Sequence, residues 1–335
     1  MNAFLQRLPK IELHLHIEGS LEPELMFALA ERNGIELPYR DVEAVRRAYD
    51  FQDLQSFLNL YYQGMDVLRT AEDFFDLAWA YFQRAQADNL RHCEFFFDPQ
   101  AHLARGVSLE VQFEGLNRAR RRAESDLGIS SAIILSFLRD QSEESALETL
   151  DAALPFREHF IGVGLDSAER GNPPAKFERV FKRAGELGLH RVAHAGEEGP
   201  AAYIKEALDL LHAERIDHGV RCLEDEAVVA ELAARRIPLT VCPLSNVYLK
   251  VVERMEDHPL PKLIEAGLCV TLHSDDPAYF GGYMGANFDA VQEAFNWPQE
   301  TWVQLTRNAI EAAFVSDERR QVLLAELDSV VQCGS

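Results

Sequence analysis

Short apolar runs return eight times along the chain, and most are followed by helical spacing or by turn residues. They are IELHLHI from Ile11, RHCEFFF from Arg91, SAIILSF from Ser131, FIGVGLD from Phe160, LHRVAHA from Leu189, RIDHG from Arg215, IPLTVC from Ile237 and LCVTLHS from Leu268. Each reads as a β-strand. Between the fifth and sixth, Ile204, Ala207, Leu208 and Leu211 repeat at the spacing of one helical face, and EDEAVVAELAARR bridges the sixth and seventh in the same way. Strands alternating with helices predict parallel strands joined by right-handed crossovers, and eight such units close a barrel. An open doubly wound sheet would carry a glycine-rich phosphate turn after an early strand, and no G-x-G-x-x-G follows LHLHI. The expected fold is therefore α/β, a (β/α)8 TIM barrel. Leu54, Phe57, Leu58 and Tyr61 share one helical face inside the stretch 21–89, which reads as a helical insertion elaborating the first crossover, a possible lid. Further helices are expected at the C-terminus. Without linkers or repeats, residues 1–335 are expected to form one domain.

Composition narrows the partners. With 55 acidic against 33 basic residues the formal charge is −22, which repels phosphate backbones and argues against a nucleic-acid or anionic-membrane binder. The five cysteines are scattered, with no C-x-x-C pair, so neither a disulfide framework nor a cysteine metal site is indicated. MNAFLQRLPK lacks a signal-peptide apolar core, and no run is long enough to span a membrane. A cytoplasmic protein with a small-molecule substrate is expected, its oligomeric state open.

Chemistry concentrates where a barrel keeps it, at the C-terminal strand ends. Alternation along a strand puts His14 and His16 on one face. His194 closes the fifth strand, His218 the sixth, and Asp275 and Asp276 follow the eighth. Singly, each has a bland reading as a satisfied core histidine or a turn-opening aspartate. Together they converge on one mouth, where a histidine-rich set with a carboxylate suits a catalytic metal. His14, His16, His194 and Asp275 would hold one zinc, with iron(II) or cobalt as alternatives, and leave a position for a water activated near neutral pH.

These residues lie in PKIELHLHIEGS, HAGEEG, IDHG, CPLSN and SDDP, which in this order over nearly the whole chain resemble the adenosine and adenine deaminase family of metal-dependent hydrolases. The resemblance implies a (β/α)8 barrel, one zinc on His14, His16, His194 and Asp275, and catalytic roles for Glu197, His218 and the metal-bound Asp275. It implies substrate contacts at Asp276 and, through GLDSAE, at Ser167. The residue types fit: Glu197 as a carboxylic acid can protonate a purine ring nitrogen, His218 can orient the attacking oxygen and accept its proton, and Asp276 can bond the imidazole-side nitrogen. No mechanistic role is expected for Asn246 in CPLSN beyond packing or a strand-end hydrogen bond, and Phe51, Phe57, Tyr61 and Tyr62 either fill the helical core, the favoured reading, or wall an apolar pocket for a purine.

Nucleoside-specific members carry aspartate where Glu18 stands, so the resemblance points to the adenine deaminase branch, with the longer Glu18 side chain expected to fill the space of a ribose. The expected reaction is hydrolytic deamination of adenine to hypoxanthine and ammonia in purine salvage. Adenosine or an N6-substituted adenine as substrate, or an inactive metal-containing purine-binding protein, are the alternatives.

Overall fold

A computed structural model describes residues 2–332. Eight parallel strands run in chain order: β1 (Lys10–Glu12), β2 (Leu90–Phe97), β3 (Ser130–Leu138), β4 (Gly162–Asp166), β5 (His190–Ala195), β6 (Arg215–His218), β7 (Pro238–Val241) and β8 (Cys269–Leu272). All eight expected runs coincide with them. The first is cut short, because regular β1 ends at Glu12 where a strand through Ile17 was expected. Beyond it the chain keeps its direction through two isolated bridges, His16 to Phe96 and Leu15 to Asp275. The second of these closes the barrel: Asp275 N–H donates to the His14 carbonyl and His16 N–H to the Asp275 carbonyl, each at 3.0 Å. Between them Leu13 N–H is taken by the His273 ring rather than by a neighbouring strand, which is why the ladder lapses there.

The barrel interior is layered. Phe96, Ile134 and Val192 form a small apolar cluster, while nearer the N-terminal strand ends the buried Glu94 of β2 pairs with Arg215 of β6. Arg215 lies over the Phe314 ring, 4.1 Å from its centroid, and Phe314 N–H donates to Glu94, so the C-terminal segment closes this end. An ion pair without solvent is stable only when its remaining valences are met, and Phe314 N–H and the Ala312 carbonyl at 3.2 Å meet part of them.

Helix α1 (Ala3–Arg7) precedes β1, and four helices fill the segment between β1 and β2: α2 (Pro23–Asn33), α3 (Val42–Ala48), α4 (Leu54–Gly64) and α5 (Ala71–Gln86). Helix α4 starts where Asp53 and Ser56 form a reciprocal capping box. Its expected face is buried, but against a second apolar cluster with Phe51, Leu249, Tyr279 and Phe280 rather than against the main core. That cluster covers the mouth of the barrel. Helices Met284–Phe295, Gln299–Ala312 and Asp317–Gln332 supply the C-terminal additions. Among the described residues no helix is long and apolar enough to cross a membrane.

Candidate active site

At the C-terminal strand ends a cavity of about 370 Å³ is lined by His16, His194, His218, Glu197, Asp275 and Asp276 on the barrel side and by Leu54, Phe57, Leu58, Tyr61 and Tyr62 of α4 above. Phe57, Tyr61 and Tyr62 are therefore walls of the site as well as core, so both sequence readings apply to them, while Phe51 stays in the cluster behind them. Helical spacing shows that a face is buried but not what it is buried against.

The imidazoles are aimed. His14 Nδ1 lies 2.9 Å from Thr240 Oγ1, whose hydroxyl donates to Asp217, and His194 Nδ1 lies 3.5 Å from the other Asp217 oxygen. His16 Nδ1 lies 3.5 Å from Asp166. With these nitrogens engaged, each Nε2 is turned inward. His16 Nε2 and His194 Nε2 stand 3.2 Å apart, and Asp275 Oδ1 stands 3.3 Å from His14 Nε2 and 3.5 Å from His16 Nε2. Nitrogen and oxygen donors that share one tetrahedral ion at ~2.0–2.1 Å are roughly 3.3 Å from each other. His14 Nε2 has no hydrogen-bond partner although it is fully buried, as a group reserved for a ligand would be. The cluster could hold a metal ion. His218 also belongs to it, since ligand atoms of His14, His194, His218 and Asp275 all lie within 4.8 Å of one another.

Burial dominates the electrostatics. It lowers His16 to about 4 and His218 to about 3, and takes His194 well below the ordinary histidine range. For His14, burial is outweighed by the Asp275 carboxylate, which raises it; for Asp275, burial is outweighed by His14, which takes the carboxyl well down. Glu197 is raised well above the carboxylate range by burial and then by the Asp275 charge, so it holds its proton as an acid. Asp276 is raised for the same two reasons.

His218 stands with Nε2 3.6 Å from Glu197 Oε2 and 3.7 Å from Asp275 Oδ2. Its other nitrogen is fixed by a chain that the sequence did not reveal. Leu260 N–H donates to His258 Nδ1, His258 Nε2 donates to Asn246 Oδ1 at 3.0 Å, and the Asn246 amide donates to His218 Nδ1 at 3.4 Å. With Nδ1 accepting, the neutral ring carries its hydrogen on Nε2, towards the cavity. Asn246, given no role from CPLSN, is the middle of that relay.

A second unforeseen residue is Glu169, which follows β4 and is fully enclosed. Its Oε1 accepts from Gly196 N–H at 2.7 Å, and its Oε2 accepts from the N–H groups of Glu197, Glu198 and Gly199 at 3.1, 2.8 and 2.7 Å. One carboxylate thus shapes the whole HAGEEG turn. Nothing in the E-R-G context of Glu169 distinguishes it from a surface glutamate.

The loops that carry the site are strained where they turn. Ser167, His218 and Asp275 hold φ of 74°, 64° and 64°, backbone that non-glycine residues adopt only when their surroundings impose it. Ser167 reaches the cavity wall, its Oγ accepting from the Tyr62 hydroxyl at 2.9 Å. Gly19 packs so closely on Asp276 that any Cβ there would overlap its carboxylate.

Glu18 departs from expectation. Its carboxylate does not stand among the cavity walls; Oε1 is taken by Asp98 N–H at 3.1 Å and by His102 Nε2 at 2.8 Å. A buried carboxylate goes to available donors; here one oxygen takes both, and Oε2 is buried without a hydrogen-bond partner. Asp98 and Asp166, which sequence reasoning passed over, occupy the wall instead, each raised above the ordinary carboxylate range by burial, Asp166 to about 7.

The chain matches the family described as adenosine deaminase over residues 9–330. The chain belongs to that family. Within it the branch is adenine deaminase: the chain is 62% identical to the adenine deaminase of Rhodospirillum rubrum over 328 residues, 98% of each chain. It is 58% identical to that of Cupriavidus taiwanensis, over 97% of this chain and 92% of that one. The crystal structure of an adenine deaminase from Arthrobacter aurescens superimposes with a TM-score of 0.96 at 56% identity, covering 97% of this chain and 99% of that chain. An amidohydrolase from Burkholderia ambifaria solved with bound zinc gives 0.90 at 27% identity, covering 99% and 93%. As a member of this deaminase branch, the protein is a metal-dependent aminohydrolase with the (β/α)8 barrel foreseen from its sequence.

Proposed function

We propose that the protein deaminates free adenine hydrolytically to hypoxanthine and ammonia, as a cytoplasmic enzyme of purine salvage using one zinc ion. The observation that carries the reading is the buried, proton-holding Glu197 beside His218 at the edge of the converging donor cluster. His14, His16, His194 and Asp275 would hold the ion, whose Lewis acidity makes water a nucleophile near neutral pH.

The protein's own groups then divide the work. Glu197 donates its proton to N1 as water adds at C6, so the electron pair of the C6–N1 double bond moves to N1. His218, with its hydrogen on Nε2, directs a hydrogen bond at the attacking oxygen and orients it; accepting a proton would require it to break the Asn246 contact. Asp276 bonds N7 and Ser167 borders the ring. Of the two protons of the added water, one returns to the Glu197 carboxylate and the other passes to the amino group, so that the C6–amino bond breaks with ammonia leaving and the C6 carbonyl of hypoxanthine forming. Leu54, Phe57 and Leu58 exclude bulk water above the ring.

The test is the ultraviolet difference spectrum of metal-analysed protein with adenine and with adenosine, alongside an ammonia count. Adenine consumed with equal hypoxanthine and ammonia, and little change with adenosine, is the expected result; comparable turnover of both would overturn the free-base reading, and inertness towards both would overturn the deaminase reading.

A further inference from the structure

Two carboxyl groups of the cavity wall, Asp98 and Asp166, have no part in those steps, and an oxygen of each lies within 4.8 Å of the other beside His16. Asp98 directly follows β2, is 2% exposed, lines the cavity, and has a buried Oδ1 with no hydrogen-bond partner. A buried carboxylate oxygen left open in a native site is a place kept for a donor that arrives with the ligand. Its backbone is held firmly. Arg105 engages His102 Nδ1, His102 Nε2 donates to Glu18, and the same Glu18 oxygen accepts Asp98 N–H. Glu18 therefore does not itself occupy the wall; it fixes the residue that does.

His16 sets the direction. Ligand atoms of Asp275 and Asp276 lie within 4.8 Å of the His16 ring nitrogens on one side, and those of Asp98 and Asp166 within the same distance as a second group. A purine with C6 at the donor cluster and N7 at Asp276 carries its five-membered ring past His16 towards Asp98. Adenine and adenosine differ there by one substituent: N9 bears a hydrogen in the base and a sugar in the nucleoside.

We propose that Asp98 is the specificity-determining residue for the free base, its open carboxyl oxygen accepting a hydrogen bond from N9–H. The proposal rests on the adenine reading above and adds to it the atom that is recognised. An N9-substituted purine brings no hydrogen, leaves a buried oxygen unpaired and places its substituent against the same carboxyl group. Sites built to bond a polar hydrogen reject the analogue lacking it by about 10⁴–10⁵-fold, far more than the 10- to 200-fold available from one ill-fitting methylene.

The experiment compares adenine with 9-methyladenine on the metal-loaded enzyme, wild type against Asp98→Ala and Asp98→Asn, with kcat and KM separated and metal content measured. Wild type should prefer adenine by at least about 10³-fold in kcat/KM. In Asp98→Ala adenine should lose about 100-fold while 9-methyladenine is unchanged or improves, so that the preference collapses at unaltered metal content. Asp98→Asn keeps one acceptor oxygen and the side-chain shape, and should move the ratio the same way by less; it serves if the alanine variant does not fold. An unchanged ratio in a folded variant, a parallel loss on both substrates, or loss of bound metal would overturn the proposal. Wild-type protein that deaminates adenine and 9-methyladenine equally would also overturn it while leaving the deaminase reading standing, whereas wild-type protein inert to adenine would remove both.

Discussion

Glu169→Gln removes one charge and no atom from the outline of the site, yet it attacks the turn that carries Glu197. The carboxylate accepts four backbone N–H groups of residues 196–199, one on Oε1 and three on Oε2. A glutamine has one acceptor oxygen, which can keep the three-donor position, and its amide then faces Gly196 N–H donor to donor. One buried donor left unpaired costs about 1–3 kcal/mol, and losing charge assistance weakens the other three bonds. A total of about 3 kcal/mol, relieved by a shift of the turn, displaces Glu197 from N1, and a displacement near 1 Å costs on the order of 10²-fold in rate. Steady-state kinetics on adenine should show kcat/KM down about 100-fold, with the loss in kcat rather than KM. The pH profile should change shape as well, because the group that holds the proton has moved. The control is a thermal melt, since a merely structural role lowers the melting temperature and leaves the profile of the surviving enzyme intact. A Glu169→Gln enzyme within about twofold of wild type, or one with an unchanged pH profile, would refute this role.

Other expectations address the tautomer, the barrel interior and the metal. Asn246→Asp replaces the amide facing His218 Nδ1 with an acceptor, drawing the ring hydrogen to Nδ1 and away from the cavity; kcat should fall by about 10²–10³-fold, the range for loss of one well-placed donor, with metal content unchanged. In the interior, burial raises Glu94 but the Arg215 charge outweighs it and holds the carboxyl at about 2, against about 4.5 when unfolded. The folded value is depressed, so the stabilisation is fully present above pH 4.5 and is lost as pH falls towards 2. It amounts to about 3 kcal/mol, and the gap in denaturant midpoint between wild type and Glu94→Gln should narrow across that window. Finally, chelation should abolish deamination and lower the melting temperature, both recovering when zinc is restored, because an ion bound only by the folded site stabilises it.

The barrel was legible in the sequence because eight β-rich runs at strand length, separated by helical spacing, leave few topologies open. The donor cluster was legible for a similar reason: histidines and aspartates at the C-terminal ends of the first, fifth, sixth and eighth strands have one meeting place in a closed barrel. What escaped shares a different physical character. Glu169, Asn246, Asp98 and His102 act through partners far along the chain or through backbone groups, and a residue type alone does not say which N–H a carboxylate will find. Glu18 shows the limit from the other side. Its length was read as volume in the pocket, whereas burial drove its carboxylate to the Asp98 N–H and His102 donors.

The seam between the first and last strands places His14 and His16 against Asp275 through two backbone hydrogen bonds. The donor cluster therefore draws on both ends of the chain, and during synthesis it does not exist until the ribosome has delivered β8. No nascent or truncated chain ending before Asp275 can assemble the full cluster, and the ion, once bound, joins the two edges whose meeting has the largest loop-closure entropy to overcome.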